Sequence, residues 1–269
     1  MNPGVNTRPF MLLIPVTLIL FMTLLCLPAR AEPSDVLRVR VSFFAPYYFY
    51  HESEKEWQGM SIEITRSVLE KAGFQAEFAV IPRNRAFELL KNGRLDMMLN
   101  LTRTEEREAL FDFIGPSSFE KMVMVTRRQD ASIRVSNLDE LIRLGKPIGF
   151  RPNYYYPRLS ERAETDADLK KLLSPIDASY SGSIEKMLLR GYIFTFFEDE
   201  MVLRDRIRNN PDFSNLVIHD FALSDPQPVH MAASRSLPQA TRTRLHEAYR
   251  ALWDQGTIPD ILKRWGNMP

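Results

Sequence analysis

The sequence predicts an α/β protein made of two similarly organised blocks, and three observations carry that reading. Extended and helical apolar patterns alternate from Val36 onward, glycines stand directly after the helical stretches, and the same plan starts again near Pro147. Val36 to Phe43 alternates apolar and polar residues, as a half-buried strand does. Ser61 to Ala72 places Ile64, Val68 and Ala72 on one helical stripe, and Gly73 supplies the stop. Phe74 to Ile81 reads as a second strand, Arg85 to Asn92 as a short helix ended by Gly93, and Leu95 to Leu101 as a third strand. This βαβαβ order argues for a parallel-dominated sheet with helices on both faces. Met122 to Thr126 is a crossing strand between the blocks. In the second block Pro147 to Phe150 is a strand, Ser183 to Arg190 a helix closed by Gly191, Tyr192 to Phe197 a strand and Asp199 to Arg208 a helix.

The N-terminus has a different character. It contains Arg8 and no acidic residue, then a mostly apolar run from Met11 to Leu27, then Ala29-Arg-Ala31 before Glu32. A positive start, an apolar middle and an A-x-A-like site mark residues 1–31 as a cleaved secretory signal. A membrane anchor is the competing reading, but the run falls short of the ~20 residues a span needs and includes Pro15, Thr17 and Thr23. Lipid attachment at Cys26 is disfavoured by the bulk of Leu25. Removing this segment leaves 238 of the 269 residues and none of the cysteine, so the mature chain relies on its core, without disulfides or thiol chemistry.

Arg8 and Arg30 leave with the signal, so 33 basic residues of the original 35 face 34 acidic ones. That balance gives no support to nucleic-acid or anionic-membrane binding. His51, His219, His230 and His246 are not spaced as metal ligands, and no phosphate loop, G-x-S-x-G elbow or H-E-x-x-H is present. Neither metal nor cofactor is expected, and no catalytic residue is assigned.

The chemistry concentrates in Arg94-Leu-Asp-Met-Met-Leu-Asn-Leu-Thr-Arg-Thr-Glu-Glu-Arg107 and the following Phe111-Asp-Phe-Ile-Gly-Pro116. A buried strand leads into a helix opened by Thr104-Glu-Glu, with Arg107 in its first turn. Orphan N–H groups, the helix dipole and a forked guanidinium together favour a carboxylate. The competing reading makes Arg107 an ordinary i,i+4 surface partner. Thr102-Arg-Thr-Glu105 also fits a capping box with Thr102 as N-cap.

The order of these residues resembles the bacterial extracellular solute-binding proteins of family 3. Phe44-Ala-Pro-Tyr-Tyr-Phe49 is similar to that family's aromatic loop, Gly59-Met-Ser-Ile-Glu-Ile64 to its Gly-Phe-Asp-Val-Asp-Leu helix start, and Leu90-Lys-Asn-Gly-Arg-Leu-Asp96 to its Leu-x-x-Gly-x-x-Asp step. Gly256-Thr-Ile-Pro-Asp-Ile-Leu-Lys-Arg-Trp-Gly266 resembles its closing helix. The resemblance spans essentially the whole mature chain. It implies the two-lobed periplasmic binding protein fold of type II, each lobe a mostly parallel sheet flanked by helices, with the ligand in the cleft between them. The implied boundaries are 1–31 for the signal, 32–124 plus 221–269 for the first lobe and 125–220 for the second. The chain crosses back near Val217 to Leu223 and finishes in the first lobe with helices from Leu237 to Trp265.

By position, the resemblance implies that Arg107 clamps a ligand's α-carboxylate, flanked by Asn100 and Thr102. Gly191-Tyr-Ile-Phe-Thr-Phe-Phe-Glu-Asp-Glu200 aligns with Gly-x-x-Asp-Ala-x-x-x-Asp, which brings Asp199 to the α-ammonium with Glu198 beside it. Asp199 is equally a good helix N-cap. Phe194 departs from the family's Asp. Gly149-Phe-Arg-Pro-Asn-Tyr-Tyr-Tyr156 departs from Gly-x-x-x-Gly-Thr, so Asn153 replaces a glycine, and Tyr154 and Tyr155 reshape the pocket. Arg85, with Arg103 and Arg151, hints at an acidic or doubly anionic ligand; solvated arginines at a lobe edge are the equal alternative. Tyr47 and Tyr48 offer rings for stacking on a ligand, whereas Trp57 and Trp265 read as packing residues.

The implied function is that of a periplasmic solute-binding protein, expected as a monomer, which captures an amino acid or related carboxylate by hinged closure. Its implied partner is an ABC permease in the inner membrane. Two alternatives stand beside it: a dehydratase-like enzyme on the same fold, with Glu198 or Asp199 as general acid, and a sensory protein serving a membrane receptor.

Overall fold

The structure is a computed structural model that describes Met1, Gly4 and residues 35–152, 154–176 and 183–268. Apart from Met1 and Gly4, the expected secretory segment lies outside the described residues, as does Asn153. The chain divides into two units, Met1–Ser34 and Asp35–Pro269, and the second carries both large sheets.

The first lobe opens with β1 (Val36–Val41), whose Leu37, Val39 and Val41 are buried. A small hairpin, β2 (Phe49–His51) and β3 (Glu56–Gln58), precedes α1 (Met60–Lys71). Helix α1 turns Ile64, Val68 and Leu69 into the core and ends against Gly73, whose φ is 75°. Its start is fixed by the aromatic loop, because Met60 and Ser61 donate their backbone N–H groups to the carbonyls of Pro46 and Tyr47 at 3.1 and 2.9 Å. Only glycine fits at position 59, where φ is 117° and a Cβ would stand 2.5 Å from the Tyr47 carbonyl oxygen.

Strand β4 (Gln75–Val80), helix α2 (Arg83–Lys91) and strand β5 (Met97–Thr102) follow, then the single turn α3 (Glu105–Glu108) and the long strand β6 (Phe111–Glu120).

After Lys121 the chain enters the second lobe: β7 (Met122–Arg127), α4 (Leu138–Arg143), β8 (Ile148–Phe150), α5 (Leu159–Thr165), α6 (Ala167–Leu172), β9 (Leu173–Pro175), α7 (Ser183–Leu189), β10 (Thr195–Asp199), α8 (Glu200–Asn209) and β11 (Leu216–Ala222). It then returns through β12 (Gln227–Ser234) and ends with α9 (Gln239–Asp254) and α10 (Thr257–Arg264), which pack with α1.

Both sheets are five-stranded, ordered β4-β1-β5-β12-β6 and β11-β7-β10-β8-β9. In each, four strands run in one direction and one is reversed, β12 in the first sheet and β7 in the second. The sheets are therefore mixed, with most strands sharing one direction. The reversed strand is in each case the one by which the chain enters the sheet after a passage, since β6 feeds β7 and β11 feeds β12. The passages are tied together where Leu223 donates its N–H to the Met122 carbonyl at 2.9 Å. Among the described residues, no helix is long and apolar enough to cross a membrane.

Candidate functional site

Strand β5 carries Asn100, which is buried and holds a left-handed backbone at φ 51°. Asparagine tolerates that conformation better than most residues. Its side chain is fully engaged: Oδ1 accepts from Ser61 Oγ at 2.7 Å, while Nδ2 donates to Ser118 Oγ at 3.1 Å and reaches Glu120 Oε1 at 3.5 Å. Asn100 thus positions Glu120, an acid that the sequence reading did not single out.

Asp199 closes β10 and caps α8. Its Oδ1 accepts from the Val202 N–H and the Tyr47 hydroxyl, both at 3.1 Å, and its Oδ2 accepts from the Lys121 N–H at 3.1 Å. The capping reading is therefore realised, and Oδ2 keeps acceptor capacity. Tyr47 is fully buried, so it tethers first lobe to second through its hydroxyl instead of offering a ring face. Tyr48 is likewise buried, with its hydroxyl accepting from Arg40 Nη1 at 3.2 Å.

Glu120 and Asp199 are both pushed above the ordinary carboxylate range. Burial is the main cause in each, and for Glu120 the charge of Asp199 comes next. Burial thus leaves both carboxyls holding their protons to higher pH than an ordinary carboxylate does.

Arg107 lies beside this pair. Its Nη1 donates to the Thr102 carbonyl at 2.9 Å, and its guanidinium carbon stands 5.6 Å from the Phe87 ring centroid. Burial lowers its pKa to about 10, with the charge of Arg83 adding to the effect; Glu120 and Tyr155 of the second lobe are among its electrostatic neighbours. No carboxylate forms an ion pair with it among the described residues. The expected helix is only the four-residue turn α3, capped by Thr104 rather than Thr102, so the cation and not a helix dipole supplies the positive potential. Thr102 contributes its backbone carbonyl to Arg107.

Arg85 does not join the site: it is exposed on α2, whereas Arg83 faces inward. Arg83 shares a stripe with Ala86, Phe87 and Leu90 at i, i+3, i+4 and i+7, and this pattern is legible once the helix is started at residue 83. The Arg83 guanidinium lies 4.8 Å from the Tyr154 ring centroid and 5.6 Å from Phe87. Its Nε is buried without a hydrogen-bond partner. Tyr154 and Tyr155 are half-buried, on the second-lobe side of these arginines.

The second lobe also departs from expectation at Glu198 and Arg151. Arg151 pairs with Glu198 and, at 3.4 Å, with Glu185; Arg206 pairs with Glu185 and, at 3.3 Å, with Glu198. Burial opposes ionisation of Glu198, but Arg151 and Arg206 outweigh it and hold the carboxylate below its usual range. These two cations and two anions neutralise each other inside the lobe, which leaves Glu198 and Arg151 committed to each other rather than to a guest. Arg103 is exposed and paired with Glu108. No cluster that could hold a metal ion occurs among the described residues.

Comparison with known proteins matches this architecture. Solved structures similar over most of the chain include an ancestral arginine-binding protein bound to arginine, at TM-score 0.72 and 19% identity, covering 87% of this chain and 99% of that one. A histidine kinase sensor domain with similarity to periplasmic binding proteins superposes at TM-score 0.72 and 20% identity, covering 88% and 97%. At these identities the likeness establishes the fold, the two-lobed type II periplasmic binding protein fold. A probable amino-acid ABC transporter-binding protein of Haemophilus influenzae is 23% identical over 238 residues, 88% of this chain and 86% of that protein. The L-cystine-binding protein of Bacillus subtilis is 18% identical over 222 residues, 82% and 77% of the two chains. Residues 37–268 match the bacterial extracellular solute-binding proteins, family 3, and the chain belongs to that family.

Proposed function

We propose that this protein captures an amino acid between its lobes and delivers it to an ABC-type permease. The observation that carries the reading is Arg107, a desolvated guanidinium that forms no ion pair among the described residues and has the buried carboxyl of Glu120 among its electrostatic neighbours. In this reading the ligand's carboxylate takes a bidentate bond from Arg107, and its ammonium replaces carboxyl protons and sits between Glu120 and the free side of Asp199. The named relatives that bind amino acids or serve their transporters support this class of ligand. Closure is a population shift: contacts to both lobes at once exist only when the lobes meet, so the guest favours the shut form. The passages at Lys121 and at residues 223–227 are the proposed hinge, with residues 32–124 plus 221–269 and residues 125–220 as the expected lobes. Export through a cleaved segment at residues 1–31, residence in the periplasm and a monomeric state belong to the same proposal.

A panel of amino acids titrated calorimetrically into residues 32–269 tests it. At least one should bind stoichiometrically and be recovered unchanged, and Arg107→Ala should weaken it by about 100-fold or more, since two charged hydrogen bonds are lost. An undiminished affinity in that variant contradicts the assignment. The likeness to a sensor domain favours a second reading, presentation to a receptor; co-purification with a permease or with a receptor separates the two.

A further inference from the structure

Once the carboxylate and ammonium of an amino acid are placed, one inward-facing cation is left over. Arg83 forms no ion pair among the described residues; its guanidinium lies over two rings, Tyr154 at 4.8 Å and Phe87 at 5.6 Å, with Glu120 and Arg107 close enough to feel its charge. Rings cover the faces of a guanidinium and leave its in-plane N–H donors, and here the Nε donor is both buried and unpartnered. A buried donor without an acceptor is costly, so an acceptor arriving with the ligand is favoured there.

The location is suitable for the far end of a small guest. Arg83 and Arg107 each stand 5.6 Å from the centroid of the same Phe87 ring, so their guanidinium carbons cannot be further apart than twice that distance. Tyr154 meets Arg83 from the second lobe, so the position is enclosed from both sides.

Charge balance points the same way. Arg40 is buried nearby, donating to the Ile81 carbonyl at 2.9 Å and to Tyr48, with no carboxylate partner among the described residues. Arg40, Arg83 and Arg107 form no ion pair among the described residues; Glu120 acts electrostatically on Arg83 and Arg107, and Glu106 on Arg107, whereas Arg151, Glu198, Glu185 and Arg206 pair among themselves. A cationic side chain entering here would meet like charge, and a neutral one would leave Arg83 unanswered.

We propose that Arg83 is the side-chain subsite of the cleft and that the ligand is an amino acid carrying a second acid group. The assignment rests on the amino-acid reading of Arg107 and the Glu120–Asp199 pair. Arg107 takes the α-carboxylate, the carboxylate pair takes the ammonium, and Arg83 takes the second anion through its edge. Tyr154 stacks on the guanidinium and excludes water, which strengthens the contact. Arg83 is a specificity-determining residue in this scheme, while Arg107 is required for every ligand.

Calorimetric titration of residues 32–269 with four probes, L-glutamate, L-glutamine, L-aspartate and L-asparagine, tests the proposal, because each acid and its amide differ almost only in charge. The wild-type protein should bind at least one acid about 10- to 100-fold more tightly than its amide. Arg83→Gln should bring that ratio close to one by weakening acid binding more than amide binding, and Arg83→Lys should keep part of the preference. Thermal melting of both variants verifies folding. Equal or tighter binding of the amides by the wild-type protein, or an acid preference that survives in folded Arg83→Gln, overturns this inference alone. Failure of all four probes and of the wider amino-acid panel overturns the amino-acid reading on which it rests.

Discussion

The two lobes spend their arginines in opposite ways. In the second lobe Arg151 and Arg206 are closed into a neutral cluster with Glu185 and Glu198, all four side chains nearly or fully buried. In the first, Arg83 and Arg107 stand next to each other with aromatic rings and a carbonyl as partners and no acid in ion-pair reach among the described residues. A charge cluster that pairs internally gives its lobe a fixed shape, whereas two cations that form no ion pair keep their donors for something that arrives later. Residue type alone does not separate the two cases; what separates them is whether the fold supplies the partner.

The largest way to break this contrast is to open the neutral cluster. Arg151→Met leaves Glu185 and Glu198 with Arg206 alone and should destabilise the protein by about 3–5 kcal/mol, seen as a lowered melting temperature, with the acid-to-amide preference unchanged. A variant that melts normally but changes its ligand preference would place Arg151 in the binding site instead. Next in size is Asn100→Ala, which removes the partner of Ser61, Ser118 and Glu120 at once. Unpaired buried groups make a loss of about 1–3 kcal/mol the expected result by chemical denaturation, together with weaker ligand binding. Loss of stability with unaltered affinity would detach Asn100 from the positioning of Glu120.

A third prediction concerns pH. The folded protein holds Glu120 and Asp199 protonated at pH values where the unfolded chain has released those protons. The native state therefore binds more protons than the unfolded one, and the pair's contribution to stability falls as pH rises from the ordinary carboxylate range through the raised values. An ammonium ligand needs the ionised pair, so affinity should rise over the same range and binding should release a proton. Calorimetry in buffers of different ionisation enthalpy detects that release, and Glu120→Gln should reduce it to the part that Asp199 contributes. The smallest expected effect is at Arg85: because it is exposed on α2, Arg85→Ala should change stability by no more than about 0.5 kcal/mol and leave affinity as it was.

Much of this architecture is legible in the chain, because period and stop signals are local. The stripe of Ile64 and Val68 closed by Gly73, and the apolar run that delivers Glu198 and Asp199 at its end, each follow from neighbours within a few residues. The features that escaped are those decided by distant partners. Glu185 is 34 residues from Arg151, and Arg206 lies on a different helix again, so nothing near Arg151 shows that its charge is already answered. Glu120 acquires its importance only because β6 ends where the chain passes between lobes and Asn100 comes up from β5 to meet it. Arg85 is singled out by its place in Ile81-Pro-Arg-Asn-Arg-Ala86, whereas the stripe of Arg83, Ala86, Phe87 and Leu90 on α2 turns Arg83 inward and Arg85 outward. The mixed sheets have the same origin, since strand direction near the passages is set by the return of β12.

The most direct test is a crystal structure of residues 32–269 with a bound amino acid. The account predicts the α-carboxylate on the Arg107 guanidinium at about 2.7–2.9 Å, the ammonium between Glu120 and Asp199, and an undisturbed Arg151–Glu198 pair. A ligand seated on Arg151, or an Arg107 side chain directed to bulk water with the ligand elsewhere, would contradict it.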